Sequence, residues 1–541
     1  MRPTTSAALS ASAGGVTVGV EGSALAAAAE QVLERAGAVP TALVAKDATL
    51  WGPEASAEAA VRLGWLDAVA TGRTLLPGVL ALRAELTAEG VDRVVLCGMG
   101  GSSLAPEVIC ATAGRPLVVV DTTDPGQVRD AFVELERTVV VVSSKSGGTL
   151  ETDSHRRAAR AAFQAAGIDP SRRVVVVTDP GSPFEQAARD EGTRAVFLAD
   201  PDVGGRYSAL TAFGLVPAGL AGVDVAGLLE DAEAVRPSLT RVQDSPALLL
   251  GALLGGGAAA GRDKLVLVTG DLVGFGDWAE QLVAESTGKQ GRGLLPVVVE
   301  GPGAPGTEPA ADSHLVVVGA PAPGGLPHTC VTGPLGGQFL VWEYATAVAG
   351  WALAINPFDQ PNVQESKDNT GAILDGEPVP ASSALFVEGG VEVHAAGDLL
   401  SGATDVEGAL QALLAAVPER GYLAVMAYLD RHKQAGAQDL RALLARRLAH
   451  PVTFGWAPRF LHSTGQFHKG GPAVGAFLQI TGVVQQDLEI PGRPFTFGQL
   501  QAAQALGDLR ALSQRGRPVL RLHLRDRDQG LATLLHAAGA A

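Results

Sequence analysis

The stretch from Val139 to Thr152 reads VVVVSSKSGGTLET and decides how the rest of the chain is interpreted. Its β-branched run, Val139–Val142, predicts a strand that is buried on both faces of a sheet. The loop over residues 143–149 carries four hydroxyls and one ammonium in seven residues. A helix predicted after Thr149 adds the positive end of its dipole, so the loop suits a phosphate monoester. The alternative to a phosphate-binding loop is an ordinary Ser/Gly-rich turn between a strand and a helix.

Strands and helices alternate on both sides of this stretch, which predicts an α/β fold with a parallel sheet and helices on both faces. Ligands of such sheets bind beyond the carboxyl ends of the strands. A second Gly/Ser turn, Gly98–Ser103 (GMGGSS), follows the apolar run that ends at Cys97. We therefore expect the two turns to face one ligand. A dinucleotide site is an open alternative, because Asp121 ends the next predicted strand.

Composition narrows the classes of partner. The formal net charge of −16 argues against nucleic acid and against an anionic membrane surface. The three cysteines are spaced for neither a disulfide framework nor a zinc site. The first residues, MRPTTSAALSASAGG, lack the apolar core of a signal peptide. No uncharged apolar stretch reaches the roughly 20 residues of a membrane span without interruption by glycine. We expect a soluble, cytoplasmic protein.

With 541 residues and 47% hydrophobic content, the chain is long enough for two or three cores. The pattern predicts an N-terminal helical segment over residues 1–88. Two parallel-sheet domains follow over residues 89–238 and 239–375, and a C-terminal α/β unit covers residues 376–541.

Four more segments look like parts of a site. Two glycines in DVGGRYS (202–208) let backbone approach closely while Arg206 reaches inward. Gln281 and Glu285 lie four residues apart on a predicted helix, so they share a face. The segments NPFDQPNVQESK (356–367) and HSTGQFHKGG (462–471) combine turn residues with lysine or histidine.

Together these motifs resemble glucose-6-phosphate isomerase, and most closely the isomerase half of bacterial transaldolase–isomerase fusions. The resemblance rests on GMGGSS, SSKSGGTLET, DVGGRYS, EQLVAESTGK, NPFDQPNVQESK and HSTGQ, which spread over residues 98–466. It implies two sugar-isomerase (SIS) type doubly wound parallel-sheet domains with a sugar phosphate between them. It also implies interconversion of glucose 6-phosphate and fructose 6-phosphate without metal or cofactor, by a protein that is usually a homodimer.

The resemblance also implies a role for each matching residue. Glu285 would move the proton between C1 and C2, and Arg206 would stabilise the enediolate. His462 would open the ring, and Lys367 would act near the ring oxygen. The expected substrate- and phosphate-binding residues are Gly101, Ser102, Ser144, Lys145, Ser146, Thr149 and Gln281.

One departure bears on the histidine. The family places its histidine motif before the NPFDQ segment, whereas HSTGQ follows that segment here. His468, six residues further on, is therefore a rival to His462. We expect the C-terminal unit to pack over the site and to deliver His462 to it. An isomerase that also accepts mannose 6-phosphate and a phosphosugar sensor without turnover remain open alternatives.

Overall fold

Runs of valine and leucine form the central strands of three separate β-sheets. The computed structural model describes residues 9–320, 325–377 and 384–539. Within these ranges, every side chain of Thr138–Ser143 and of Tyr422–Tyr428 is buried, as expected for strands covered on both faces.

The N-terminal residues form a hairpin followed by helices. Its strands are β1 (Ser10–Ala13) and β2 (Val16–Glu21). This differs from the helical segment that we predicted over residues 1–88. In β2, Val16, Val18 and Val20 are buried and alternate with more exposed residues, which is the period of a half-buried strand. The helices are α1 (Ser23–Arg35), α2 (Val39–Val44), α3 (Pro53–Ala59) and α4 (Ala68–Ala88).

The next unit is a five-stranded parallel sheet with helices, as predicted. Its elements are β3 (Arg93–Cys97), α5 (Leu104–Thr112), β4 (Val118–Val120), α6 (Pro125–Ala131), β5 (Thr138–Ser143), α7 (Leu150–Ala165), β6 (Val174–Thr178), α8 (Pro183–Asp190), β7 (Ala195–Leu198), α9 (Ala212–Ala221) and α10 (Val225–Val235). The strand order is β4-β3-β5-β6-β7.

The second sheet takes its strands from two distant parts of the chain. Its elements are α11 (Pro246–Ala259), β8 (Lys264–Thr269), α12 (Phe275–Thr287), β9 (Leu295–Val299), β10 (Ser313–Val318), β11 (His328–Thr332), α13 (Leu335–Ala352) and α14 (Val363–Leu374). The order is β1-β2-β11-β10-β8-β9, in which β8 to β11 are parallel and β2 is antiparallel to β11.

The C-terminal unit has a six-stranded sheet of its own. Its elements are β12 (Phe386–Glu388), β13 (Val391–Ala395), α15 (Val406–Ala415), β14 (Tyr422–Tyr428), α16 (Asp439–Arg447), β15 (Val452–Trp456), α17 (Gly465–Gly470), β16 (Gly475–Gly482), α18 (Phe497–Gln514), β17 (Val519–Leu524) and α19 (Arg527–Gly539). The order is β12-β13-β17-β16-β14-β15, with β14 to β17 parallel. The α/β fold class is therefore confirmed, while the domain boundaries stay predictions.

Hydrophobic cores join the C-terminal unit to both preceding sheets. Val266 and Leu295 of the second sheet share a core with Tyr422 and Phe477. Phe497 at the start of α18 packs into the core of the first sheet. In the described part of the chain, no helix is both long and apolar enough to cross a membrane.

A buried ionic cluster lies where the three units meet. Arg459, in a short 3₁₀ turn of the C-terminal unit, donates to Asp121 (2.6 Å) and Glu107 (2.5 Å) of the first unit. Its guanidinium also lies 3.5 Å from Asp277 of α12. Burial alone would raise the pKa of Asp121, but the positive charges of Arg459 and Arg431 outweigh burial and lower it.

Replacing Arg459 by methionine should lower the free energy of unfolding by about 3 kcal/mol, because it leaves the buried carboxylate of Asp121 with only the more distant Arg431, 3.6 Å away, as its ionic partner. Asp121 has a lowered pKa in the folded protein. The stabilisation that ionised Asp121 contributes is therefore present above its unfolded-state pKa of about 3.9, and it is lost as the pH falls through its folded-state pKa. Urea unfolding at pH 7 measures the loss. Arg137→Met, which removes an exposed pair with Asp92, is the control and should have a much smaller effect. Equal losses in the two variants would contradict the assignment.

Candidate active site

The loops that follow β3 and β5 line one cavity of about 190 Å³ together with residues of α12 and of the C-terminal unit. The two Gly/Ser turns therefore line one cavity, while their binding of one ligand stays a prediction. Nine of the predicted site residues line this cavity: Gly101, Ser102, Ser144, Lys145, Thr149, Arg206, Gln281, Glu285 and His462. We call it the central cavity.

The other two predicted site residues line a neighbouring cavity instead. Ser146 and Lys367 line a neighbouring cavity of about 380 Å³, which shares Thr149 and His462 with the central cavity. Ser146 and Lys367 therefore lie beside the central cavity and do not line it.

Arg206 and Glu285 form an ion pair in the central cavity. Arg206 Nη1 lies 3.2 Å from Glu285 Oε1, and the arginine side chain is 3% exposed. The other guanidinium donors bond Ser286 Oγ (2.8 Å), Gln360 Oε1 (3.0 Å) and the carbonyls of residues 357 and 359. Because every guanidinium nitrogen has a partner, the positive charge is held in one position beside the carboxylate.

Gln281 connects the carboxylate to the histidine segment. Its Nε2 donates to Glu285 Oε2 (3.1 Å) and to the carbonyl oxygen of His462 (2.7 Å). Two oxygen acceptors fix the orientation of the amide, which leaves Oε1 as an acceptor that makes no hydrogen bond within the described chain. An acceptor cannot bind a phosphate oxygen, so this geometry speaks against the phosphate contact expected for Gln281.

The hydroxyl loop is preorganised by its own backbone. Ser144 Oγ accepts from the amide of Gly147 (3.1 Å), so its proton stays free to donate. Lys145 Nζ lies 2.5 Å from Asp179 and donates to the carbonyl of Pro201 (2.7 Å). An ammonium has three donors, which leaves one for a ligand. Thr149 precedes α7 and makes no side-chain cap.

Only glycine fits at Gly101. A Cβ there would lie 1.9 Å from the carbonyl oxygen of Gly205, in the turn that carries Arg206. This close approach brings the first Gly/Ser turn against the GGRYS segment.

His462 lies in the same cavity of the same chain, paired with a carboxylate that the sequence did not single out. Its Nε2 lies 3.0 Å from Glu151 Oε1, and Gln504 Nε2 donates to the same oxygen (2.8 Å). Burial would raise the pKa of Glu151, but the positive charge of His462 and the hydrogen bond between the two lower it to about 2. An ionised carboxylate therefore orients the imidazole.

His468 is a core residue and not a rival. Its ring is buried and packs against Tyr422 (5.9 Å between centroids) and Phe477 (5.2 Å). Neither ring nitrogen has a hydrogen-bond partner within the described residues. Burial holds the pKa of His468 well below its usual range, so the ring is neutral.

Sequence reasoning missed several residues that line or support the central cavity. Ser143 and Thr152 line it, and their hydroxyls make no hydrogen bond to described residues. Gln360 accepts from Arg206. Arg62, from the predicted N-terminal segment, also lines the cavity. The sequence does show Glu151, in the segment SGGTLET. It was overlooked because an acid in the first turn of a helix is usually interpreted as a partner of the helix dipole alone.

Comparisons with known proteins agree with the motifs over part of the chain. Residues 83–289 match the family model of phosphoglucose isomerase. The glucose-6-phosphate isomerase of Thermosynechococcus vestitus is 36% identical over 239 residues, which is 41% of this chain and 45% of that protein. The probable glucose-6-phosphate isomerase of Haloarcula marismortui is 37% identical over 38% of this chain and 49% of its own length. The chain thus spans about half the length of these relatives, and the resemblance is confirmed for that part.

Two solved structures share the fold over more of the chain. A hypothetical protein from Thermus thermophilus superposes with a TM-score of 0.56 at 24% identity, covering 65% of this chain and 98% of its own. A glucose-6-phosphate isomerase from Chlamydia trachomatis gives a TM-score of 0.53 at 19% identity, covering 68% and 90%. At these identities the similarity shows a shared fold.

The hydroxyl loop should bind free phosphate. Replacing Ser144 and Thr149 together by alanine should weaken binding of inorganic phosphate about tenfold or more, because two hydrogen-bond donors to the anion are lost. A tenfold change in affinity corresponds to about 1.4 kcal/mol. Isothermal titration measures the dissociation constant. Ser146→Ala is the matched control from the same loop and should change affinity by less than about threefold. If Ser146→Ala weakened binding more than the double variant, the phosphate would lie in the neighbouring cavity.

Proposed function

We propose that this chain is an aldose–ketose isomerase that interconverts glucose 6-phosphate and fructose 6-phosphate, in glycolysis and gluconeogenesis, without a metal or cofactor. The observation that carries the proposal is the ion pair of Glu285 with Arg206, held at 3.2 Å in the cavity that the hydroxyl loop also lines. One part of the cavity can hold a phosphate that does not react. The other offers a base beside a fixed positive charge.

The phosphate would anchor the substrate at the hydroxyl loop. Donors there are Ser144, Thr149 and the third proton of Lys145, with the amino end of α7 behind them. The binding energy of this unreactive group would align the reacting carbons with Glu285. Gln281 would hold Glu285 and the His462 segment in place instead of contacting the phosphate, which revises its expected role.

Glu285 would carry the proton between the two carbons. Its carboxylate would take the proton from C2 of the open-chain aldose while the C1 carbonyl oxygen receives the electron pair. Transfer of the hydroxyl proton from O2 to O1 of the enediolate, and return of the carbon-bound proton to C1, would give the ketose. Arg206 would stabilise the developing negative charge through its fixed positive charge, since its N–H groups are already engaged. Because its position is fixed by Ser286, Gln360 and two carbonyls, little reorganisation accompanies the reaction.

His462 would open the ring. The hydrogen bond to Glu151 fixes the orientation of the imidazole, as an acid–base group requires. Lys367, in the neighbouring cavity, would act near the ring oxygen. Ring opening and proton shift would thus be served by residues from different units of one chain.

The base distinguishes this proposal from a phosphosugar sensor. A sensor needs the hydroxyl loop but no carboxylate paired with a buried arginine, so the Glu285–Arg206 pair favours an enzyme. Activity on mannose 6-phosphate depends on whether the site accepts both configurations at C2 of the sugar, and it stays an open alternative. A homodimer and a cytoplasmic location are part of the proposal, although His462 reaches the cavity from the same chain.

Glu285→Gln should lower turnover of fructose 6-phosphate at least about 100-fold, because general base catalysis contributes about 10² to 10⁴. The amide keeps the shape, so fructose 6-phosphate should still bind by isothermal titration. A coupled assay measures turnover.

Glu280→Gln is the control for this variant. Glu280 is buried on the same helix, and Ser463 donates to it at 3.3 Å. Burial and the charge of Asp277 raise the pKa of Glu280 well above its usual range, so it is already neutral and an amide should change turnover less than about threefold. Turnover above about a tenth of wild type in Glu285→Gln would refute the assignment of the base.

His462→Ala should slow only substrates that must open a ring. The matched substrate is 5-deoxyfructose 6-phosphate, which has no hydroxyl able to close a five- or six-membered ring on C2. Turnover of fructose 6-phosphate should fall at least about tenfold further than turnover of the 5-deoxy compound. His468→Phe, in the core, should spare the ratio of the two. Equal losses on both substrates would show that His462 acts in the proton shift or in binding.

A further inference from the structure

A second, larger cavity lies in the C-terminal unit. It has a volume of about 880 Å³ and opens between the last turns of α18 and the face of strands β13 and β17. On that face His394 is directly opposite Arg521 across the two antiparallel strands. Its lining shares no residue with either cavity of the candidate active site. We call it the arginine cavity.

Two arginines of this cavity have no carboxylate partner among the described residues. The Nε atoms of Arg517 and Arg521 are buried and make no hydrogen bond there, and neither side chain forms an ion pair within the same ranges. Glu392, whose charge Arg521 senses, is bound to Arg525 at 2.7 Å. By contrast Arg510, at the rim, pairs with Glu377 at 3.0 Å.

Such charges are costly to the fold. Burial lowers the pKa of both Arg517 and Arg521, which measures how poorly their charges are solvated. Both side chains are partly exposed, and a charge that is partly withdrawn from water without an ionic partner carries part of the cost of desolvation. Arg517 and Arg521 have no carboxylate partner in the described chain, so together they form a preformed site for an anion. The planar set of N–H donors on each guanidinium matches the oxygens of a carboxylate or phosphate.

The rest of the lining indicates what the anion is attached to. Leu506 and Leu509 of α18, Leu399, Val519 and Ile373 supply an apolar surface. The volume falls in the range of cavities that hold whole small molecules, about 300–1,000 Å³. An inorganic ion would leave most of this surface uncovered. A ligand with an apolar or aromatic body and one anionic group fits both features.

We propose that the arginine cavity is a binding site for a small organic anion with an apolar body, whose carboxylate or phosphate is held by Arg517 and Arg521. The site is separate from the candidate active site but shares two helices with it. Helix α18 carries Gln504, which donates to Glu151, and α14 carries Lys367. The proposal concerns binding and does not depend on the isomerase activity.

The test uses three naphthalene probes on the full chain: 1-naphthoate, 1-naphthyl phosphate and the neutral 1-naphthol. Isothermal titration should give one site per chain for 1-naphthoate. For 1-naphthyl phosphate the central cavity adds a second site, which the Ser144→Ala, Thr149→Ala variant removes. The anion that binds the arginine cavity more tightly identifies the anionic group. Arg517→Met with Arg521→Met should weaken binding of that anion at least tenfold. Arg446→Met, an exposed arginine of α16 outside the cavity, is the control and should leave affinity unchanged. The neutral probe should bind at least tenfold more weakly.

A second variant keeps both arginines. Ser513→Trp places an indole in the cavity from the exposed last turn of α18 and should abolish binding of the anion. Phosphate-directed binding at the central cavity would instead be lost in the Ser144→Ala, Thr149→Ala variant. Unchanged affinity in the double arginine variant or in Ser513→Trp, or equal binding of the neutral probe, would overturn the proposal.

Discussion

The guanidinium of Arg459 is the point on which the arrangement of the three units depends. It contacts Asp121 and Glu107 of the first unit and approaches Asp277 of the second, while its own backbone belongs to the third. Three residues later in the same 3₁₀ turn comes His462. A buried cation surrounded by carboxylates tolerates little displacement, because each pair loses its compensation when it separates. The position of the imidazole in the central cavity thus follows from an ionic cluster outside it.

The site itself is built where parallel strands end. Backbone turns after β3 and β5 supply the hydroxyls and close approaches, and α12 contributes Gln281 and Glu285 on one face. The C-terminal unit adds His462 through a separate sheet. Chemistry constrains where side chains meet and not the order in which the chain supplies them. This explains how a histidine motif that follows the NPFDQ segment can still reach the carboxylate and arginine.

Local patterns made the strands and helices of the first sheet predictable, and they identified nine residues of the central cavity. The hairpin β1–β2 was missed although Val16, Val18 and Val20 alternate clearly, since its partner strand β11 lies far along the chain, at His328–Thr332. The pairing of Glu151 with His462 spans 311 residues. No spacing rule predicts such a contact. For the same reason the sequence could not decide between His462 and His468. The structure decides it, because His468 is buried among aromatic rings.

The central claim is that one chain brings a base, a fixed cation and an imidazole to a single sugar-phosphate site. The most direct measurement follows fructose 6-phosphate in deuterated water by proton NMR, with the purified chain. A base that exchanges its proton with solvent predicts glucose 6-phosphate that carries deuterium at C2. Absence of glucose 6-phosphate at any enzyme concentration would contradict the account, and the central cavity would then be a binding site without turnover.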